Sequence, residues 1–167
     1  MFPFKKSKKN GDDDKKTRLN DGLNKLKAGD IKLGMVILYR LGMEDYPEAE
    51  YWLGDINEFN LNNFAEAAKW YAFAAEHGNP QAMFCIANML MTGKGVKEDH
   101  REAVKWYKKA AVNGIPDAQF MMGELTRTGN TIQQNHTDAH KWYELALQNG
   151  CSHAQMRLEQ MAANIGT

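Results

Sequence analysis

The chain has 167 residues, of which 43% are hydrophobic, enough for one domain that buries a continuous core. Its 21 Lys and Arg balance its 21 Asp and Glu, so net charge supplies no attraction to nucleic acid or to an anionic membrane. The two cysteines, Cys85 and Cys151, are well separated and lack CxxC spacing; they support neither a disulfide framework nor a zinc site and read as reduced thiols.

The amino terminus, Met1-Phe2-Pro3-Phe4 followed by lysines, lacks the apolar run of a secretory signal, and no later run approaches the length of a membrane span. The expected location is the cytoplasm. Residues 5–17 contain no large apolar side chain to offset the entropy of ordering them, so residues 1–17 are expected to form a disordered charged tail. Helical spacing of Leu19, Leu23 and Leu26, then of Ile31, Met35, Leu38 and Leu41, predicts helices at 18–28 and 31–41, broken at Gly29-Asp30. This irregular pair forms an amino-terminal cap over 18–46.

Pro47 suits the first turn of the next helix, and Asn60 to Asn63 read as the turn before a helix at 64–77. Gly78-Asn79-Pro80 and Gly114-Ile115-Pro116 each stop one helix and start another, and Gly150-Cys151-Ser152 repeats the pattern without its proline. Three helix pairs are therefore expected at 47–77, 79–113 and 115–149. A terminal helix at 152–164 completes the region 47–167.

These pairs are copies of one unit. Ala67-Ala68-Lys69-Trp70-Tyr71 returns 36 residues later as Ala103-Val104-Lys105-Trp106-Tyr107, and again as Ala139-His140-Lys141-Trp142-Tyr143. Small residues recur where helices approach closely (Ala49 and Gly54, Ala82 and Ala87, Ala118 and Gly123, then Ala154), with Leu53, Ile86, Met122 and Leu158 beside them. Repeats of this kind bury their apolar faces against neighbours and leave an extended surface, so holding another molecule is a more natural use than chemistry. The Trp and Tyr of each second helix are core packing.

The segment Gly93-Lys94-Gly95-Val96-Lys97-Glu98-Asp99, followed by Ala103-Val104-Lys105-Trp106-Tyr107-Lys108-Lys109-Ala110-Ala111 and Gly114, resembles the Sel-one-like repeat (SLR), a relative of the tetratricopeptide repeat. The resemblance covers about residues 47–161. It implies an all-α fold, a right-handed α-solenoid of antiparallel helix pairs whose first helices line a concave surface. It also implies a non-enzymatic adaptor or scaffold, bacterial members including inhibitory partners and immunity proteins of secreted toxins. The first pair departs from the pattern in its short Asn60–Asn63 loop, and the third in Gly129-Asn130-Thr131-Ile132-Gln133.

The packing residues fix the buried side of each first helix, leaving Glu48, Tyr51, Asp55 and Glu58 opposite them in the first pair. The equivalent face carries Phe84 and Asn88 in the second pair, and Phe120, Glu124 and Arg127 in the third. Tyr51, Phe84, Phe120 and Met156 form a ladder with two readings, packing between helices or a groove for an apolar and basic segment of a protein partner. Charge favours a basic partner surface, a toxin being one candidate: residues 41–68 contain seven acids and no Lys or Arg, against eleven basic and five acidic residues over 1–40.

Neither nucleic acid nor membrane is an expected partner, because the Lys-rich second helices lack interleaved exposed aromatics or a reading motif. Met156, Leu158, Met161 and Ile165 leave the chain a monomer or a weak homodimer. His136 and His140 are four apart but lack a third ligand and an HExxH pattern, and Gly93-Lys94-Gly95 lacks the spacing and preceding strand of a phosphate loop. No metal, cofactor or catalytic residue is therefore expected. The alternative is a ligand-binding or enzymatic helical-repeat domain with an unrecognised site, which requires a pocket of convergent polar groups.

Overall fold

The computed structural model describes residues 8–165, and among the described residues there is no strand. The helices are α1 (Lys8–Lys27), α2 (Ile31–Gly42), α3 (Pro47–Asp55), α4 (Phe64–Glu76), α5 (Pro80–Thr92), α6 (His100–Val112), α7 (Pro116–Thr128), α8 (His136–Gln148) and α9 (His153–Ile165). Two compact units divide at His77 and Gly78. In the first, α1 packs on α2, α2 on α3 and α3 on α4; in the second, α5 packs on α6, α6 on α7, α7 on α8 and α8 on α9.

Helix starts follow local chemistry. Asn63, Asp99 and Asn135 stand at the caps of α4, α6 and α8, and their side chains accept from the backbone N–H of Glu66, Glu102 and Asp138 at 3.4, 3.0 and 3.0 Å. Those same three acids bind Lys69, Lys105 and Lys141 one turn on, at 3.0, 2.7 and 3.0 Å. The lysine ridge is thus largely matched by its own helices. Pro47, Pro80 and Pro116 open α3, α5 and α7, where a missing N–H costs nothing.

The expected tail at 1–17 is corrected: the chain is helical from Lys8, and residues 1–7 lie outside the described residues. The cause is tertiary. Arg18 grips Glu44 through both nitrogens at 3.0 and 2.7 Å, Lys15 donates to the Glu44 carbonyl at 2.7 Å, and Lys15 lies 5.7 Å from the centre of the Tyr46 ring. Leu19 is buried in the core of the first unit with Leu38, Leu41, Leu53 and Trp70, and Leu23 and Leu26 pack against it. Once that turn is fixed, extending the helix backwards costs little, even through Gly11 and three aspartates.

The shortened first loop is taken up by a π-helical turn, Ile56–Asn60, directly after α3. The wider turn carries Glu58 just beyond Asp55, whose carboxyl feels its charge. Close packing follows the small residues. A Cβ on Gly54 would lie 2.6 Å from the Tyr71 ring, and one on Gly123 would lie 2.5 Å from the Tyr143 ring.

Candidate functional site

In the first unit, Glu48 is exposed on α3, while Tyr51, Asp55 and Glu58 are half-buried. The Tyr51 ring leans on Tyr71 at 5.9 Å and meets the edge of Trp52 at 5.6 Å, so it serves packing while keeping part of its surface open. Burial, with the nearby Glu58 charge, pushes Asp55 above its ordinary value. Glu44, the first acid of the block without Lys or Arg, is occupied by Arg18, which holds its carboxyl below the usual range.

In the second unit the nominated residues are more heavily engaged. Phe84 tilts against Tyr107 at 5.9 Å, and Asn88 accepts the Tyr107 hydroxyl at 2.6 Å. One period later Phe120 tilts against Tyr143 at 5.7 Å and approaches His153 at 6.2 Å. Glu124 accepts the Tyr143 hydroxyl at 2.5 Å, Arg127 at 2.9 Å and Arg157 of α9 at 2.7 Å. Burial works to raise the Glu124 pKa, but the hydrogen bonds from Arg127 and Tyr143 and the charge of both arginines hold it below its ordinary value. Tyr107 is pushed up to about 12 by burial, and Tyr143 rises for the same reason. Asn88 and Glu124 therefore anchor the second-helix tyrosines of their own repeats.

A groove of about 800 Å3 opens in the second unit among Val104, Met122, Ile132, Trp142 and Leu145. Its Asn135, Asp138 and Lys141 bond to one another, at 2.8 Å from Asn135 Nδ2 and 3.0 Å from Lys141 Nζ. Lys108, Thr126 and Gln133 complete its polar lining, Thr126 being bonded to the Met122 carbonyl at 2.6 Å. His140 pairs with Glu144 at 3.4 Å. Cys151 is buried, and burial raises its thiol.

The cluster that linear spacing missed is Asp45, Glu50 and His77, whose ligand atoms lie within 4.8 Å of one another. Glu50, only 2% exposed, takes His77 Nδ1 at 3.0 and 2.9 Å on its two oxygens. The hydrogen bond to Glu50 raises His77 above its ordinary value, and burial raises Glu50. The third repeat places Gln119 and Asn149 at the corresponding positions, joined by a neutral bond at 2.9 Å. Repeat register equates Glu50 with Gln119 and His77 with Asn149, but that these residues meet across helices, and that Asp45 joins them, is visible only in the structure.

Helix pairs locked by repeated tyrosines, with an open face on the first helices, define a helical-repeat protein of the interaction-module class. The chain belongs to the Sel1 repeat family, whose model matches residues 31–79, 80–114 and 116–151, starting ahead of the expected residue 47. Sel1 repeats are generally protein-interaction modules, and their fold is typically a non-enzymatic scaffold. The fold class is the expected all-α repeat architecture of antiparallel helix pairs.

A Sel1 repeat protein of Oxalobacter formigenes is 31% identical, with a TM-score of 0.78 over 84% of this chain and 59% of that one. A protective antigen of uropathogenic Escherichia coli with an SLR fold is 30% identical, with a TM-score of 0.84 over 90% of this chain and 34% of its own. The chain thus spans less than two thirds of either relative. Cysteine rich protein B of Helicobacter pylori, at 20% identity and a TM-score of 0.56 over 87% of this chain and 95% of that one, shares the fold. No curated protein matches the chain. Among the described residues, no helix is long and apolar enough to cross a membrane.

Proposed function

We infer that the protein binds a protein partner with a basic surface, and that the α3 face is the principal contact. The observation that carries this reading is the strip Glu48, Tyr51 and Asp55. It lies in a stretch, 41–68, without Lys or Arg, and it retains exposed surface where Asn88 and Glu124 are spent on internal bonds. An aromatic ring there supplies contact area, and the carboxylates on either side orient a cationic segment and speed its encounter. Phe84, Phe120 and Arg127 serve to shape the helices of the second unit.

Two jobs fit this surface, a general adaptor and an inhibitory protein that occupies the basic cleft of a toxin. They separate by co-expression: rescue of cells from a toxin, lost on Glu48→Lys, supports the inhibitor. The binding reading itself is tested by affinity purification of the tagged protein from its own cells, comparing wild type with the Glu48→Lys, Tyr51→Ala variant after circular dichroism has verified folding. A stoichiometric partner lost from the variant is the expected result. A partner retained in full would move the interface elsewhere.

A further inference from the structure

We propose that Asp45, Glu50 and His77 form a binding site for a single divalent transition-metal ion, with Zn2+ as the probe of choice. Three separate elements deliver the ligands. Asp45 sits in the α2–α3 turn with a left-handed backbone, φ 52°, Glu50 lies in the first turn of α3, and His77 caps the end of α4. One imidazole nitrogen and two carboxylate oxygens are a donor set that zinc accepts, with a fourth position open to water.

The geometry is nearly closed. Bonds of about 2.0–2.2 Å in a tetrahedral site put neighbouring ligand atoms roughly 3.4 Å apart, and the three atoms here already lie within 4.8 Å. Asp45 and His77 are exposed and can make the remaining adjustment, while buried Glu50 stays fixed.

Two further observations distinguish this cluster from its counterpart in the third repeat. The buried Glu50 carboxylate has one hydrogen-bond donor among the described residues, His77 Nδ1, which its two oxygens share. That one donor is also its countercharge, the His77 imidazole at 2.9 Å, and it leaves further lone pairs of the carboxylate to accept a cation. Gln119 in the third repeat shows what a structural role requires: its amide donates to the Ala111 carbonyl at 3.0 Å and accepts from Asn149 at 2.9 Å, which satisfies both ends without charge. The first repeat instead carries two ionisable metal-binding side chains there and adds a third from the turn. The nearby cations Lys15 and Arg18 are held on Glu44.

The test is a calorimetric titration of the chelator-stripped full chain with Zn2+, with melting temperature and the metal content of the dialysed protein measured alongside. The expected result is one ion per chain, a rise in melting temperature on addition of zinc, and movement of the His77 ring resonances. Asp45→Asn, which tolerates the left-handed backbone, weakens binding by about tenfold or more. The double change Glu50→Gln, His77→Asn rebuilds the neutral pair of the third repeat, so it preserves the fold and abolishes binding. Absence of binding by the wild type overturns the proposal. So does equal binding by the wild type and the folded double variant, which would place the ion on other histidines or cysteines.

Discussion

Glu124 receives the Tyr143 hydroxyl and two arginines, one from the next turn of its own helix and one from α9. At 19% side-chain exposure it is shielded enough for these bonds to matter, and their loss in Glu124→Ala is expected to cost roughly 1.5–3 kcal/mol in urea denaturation. Its pH signature has a definite sign. The folded carboxyl titrates below its ordinary 4.5, so its contribution is complete above that value and disappears as pH falls through the lowered one. Glu124→Gln should therefore flatten the acid side of the stability profile, read from midpoints collected between neutral and acid pH. Gly123 illustrates the opposite constraint. Its missing Cβ is space already held by Tyr143, which the Glu124 bond prevents from retreating. Gly123→Ala gains about 1 kcal/mol of helix propensity but overpacks by about 1–3 kcal/mol, so a net loss of stability is expected from the same denaturation measurement.

At the scale of the element, the caps that start α4, α6 and α8 and the glycine stops that follow those helices are legible in the sequence, whereas the start of α1 is not. Asp99 caps α6 through a 3.0 Å bond, and Asp99→Ala should cost about 1 kcal/mol. The longer 3.4 Å bond of Asn63 makes its alanine variant the milder of the two, an order that parallel thermal melts can check. α1 begins well before residue 18, where the composition of residues 5–17 predicts no helix. Their helix is secured by Leu19 and by salt bridges to a turn some 26 positions away, which local composition does not encode. Those bridges are largely exposed, so Arg18→Ala is expected to lower stability by no more than about 1 kcal/mol while increasing amide exchange in the first turns of α1. The π turn after α3 is likewise not encoded in local composition. A loop three residues shorter was visible, but how the chain absorbed the difference was not.

For the molecule as a whole, net neutrality conceals segregation. Basic α1 and the acidic stretch that follows α2 lie in one unit, where part of the charge cancels at Arg18 and Glu44 and part remains on α3. A partner recognised by the remaining carboxylates should associate more slowly as salt rises, because screening acts on the encounter before it acts on the packed rings. In stopped-flow association at increasing ionic strength, wild type should lose rate steeply, and Glu48→Lys should start slower and depend less on salt.

The sequence by itself determined the repeat, its helical pairs, the caps that open them and the small residues that let them close, because each is written in spacing and local backbone chemistry. It also indicated the rings at Tyr51, Phe84 and Phe120, though not their division between packing and binding. Only the tertiary structure decided that Asn88 and Glu124 are committed to tyrosines, that α1 extends to Lys8, and that Asp45, Glu50 and His77 converge. The physical reason is common to all three: a side chain's role depends on which donors, charges and ligands meet it across helices, and those distances arise only when the faces pack.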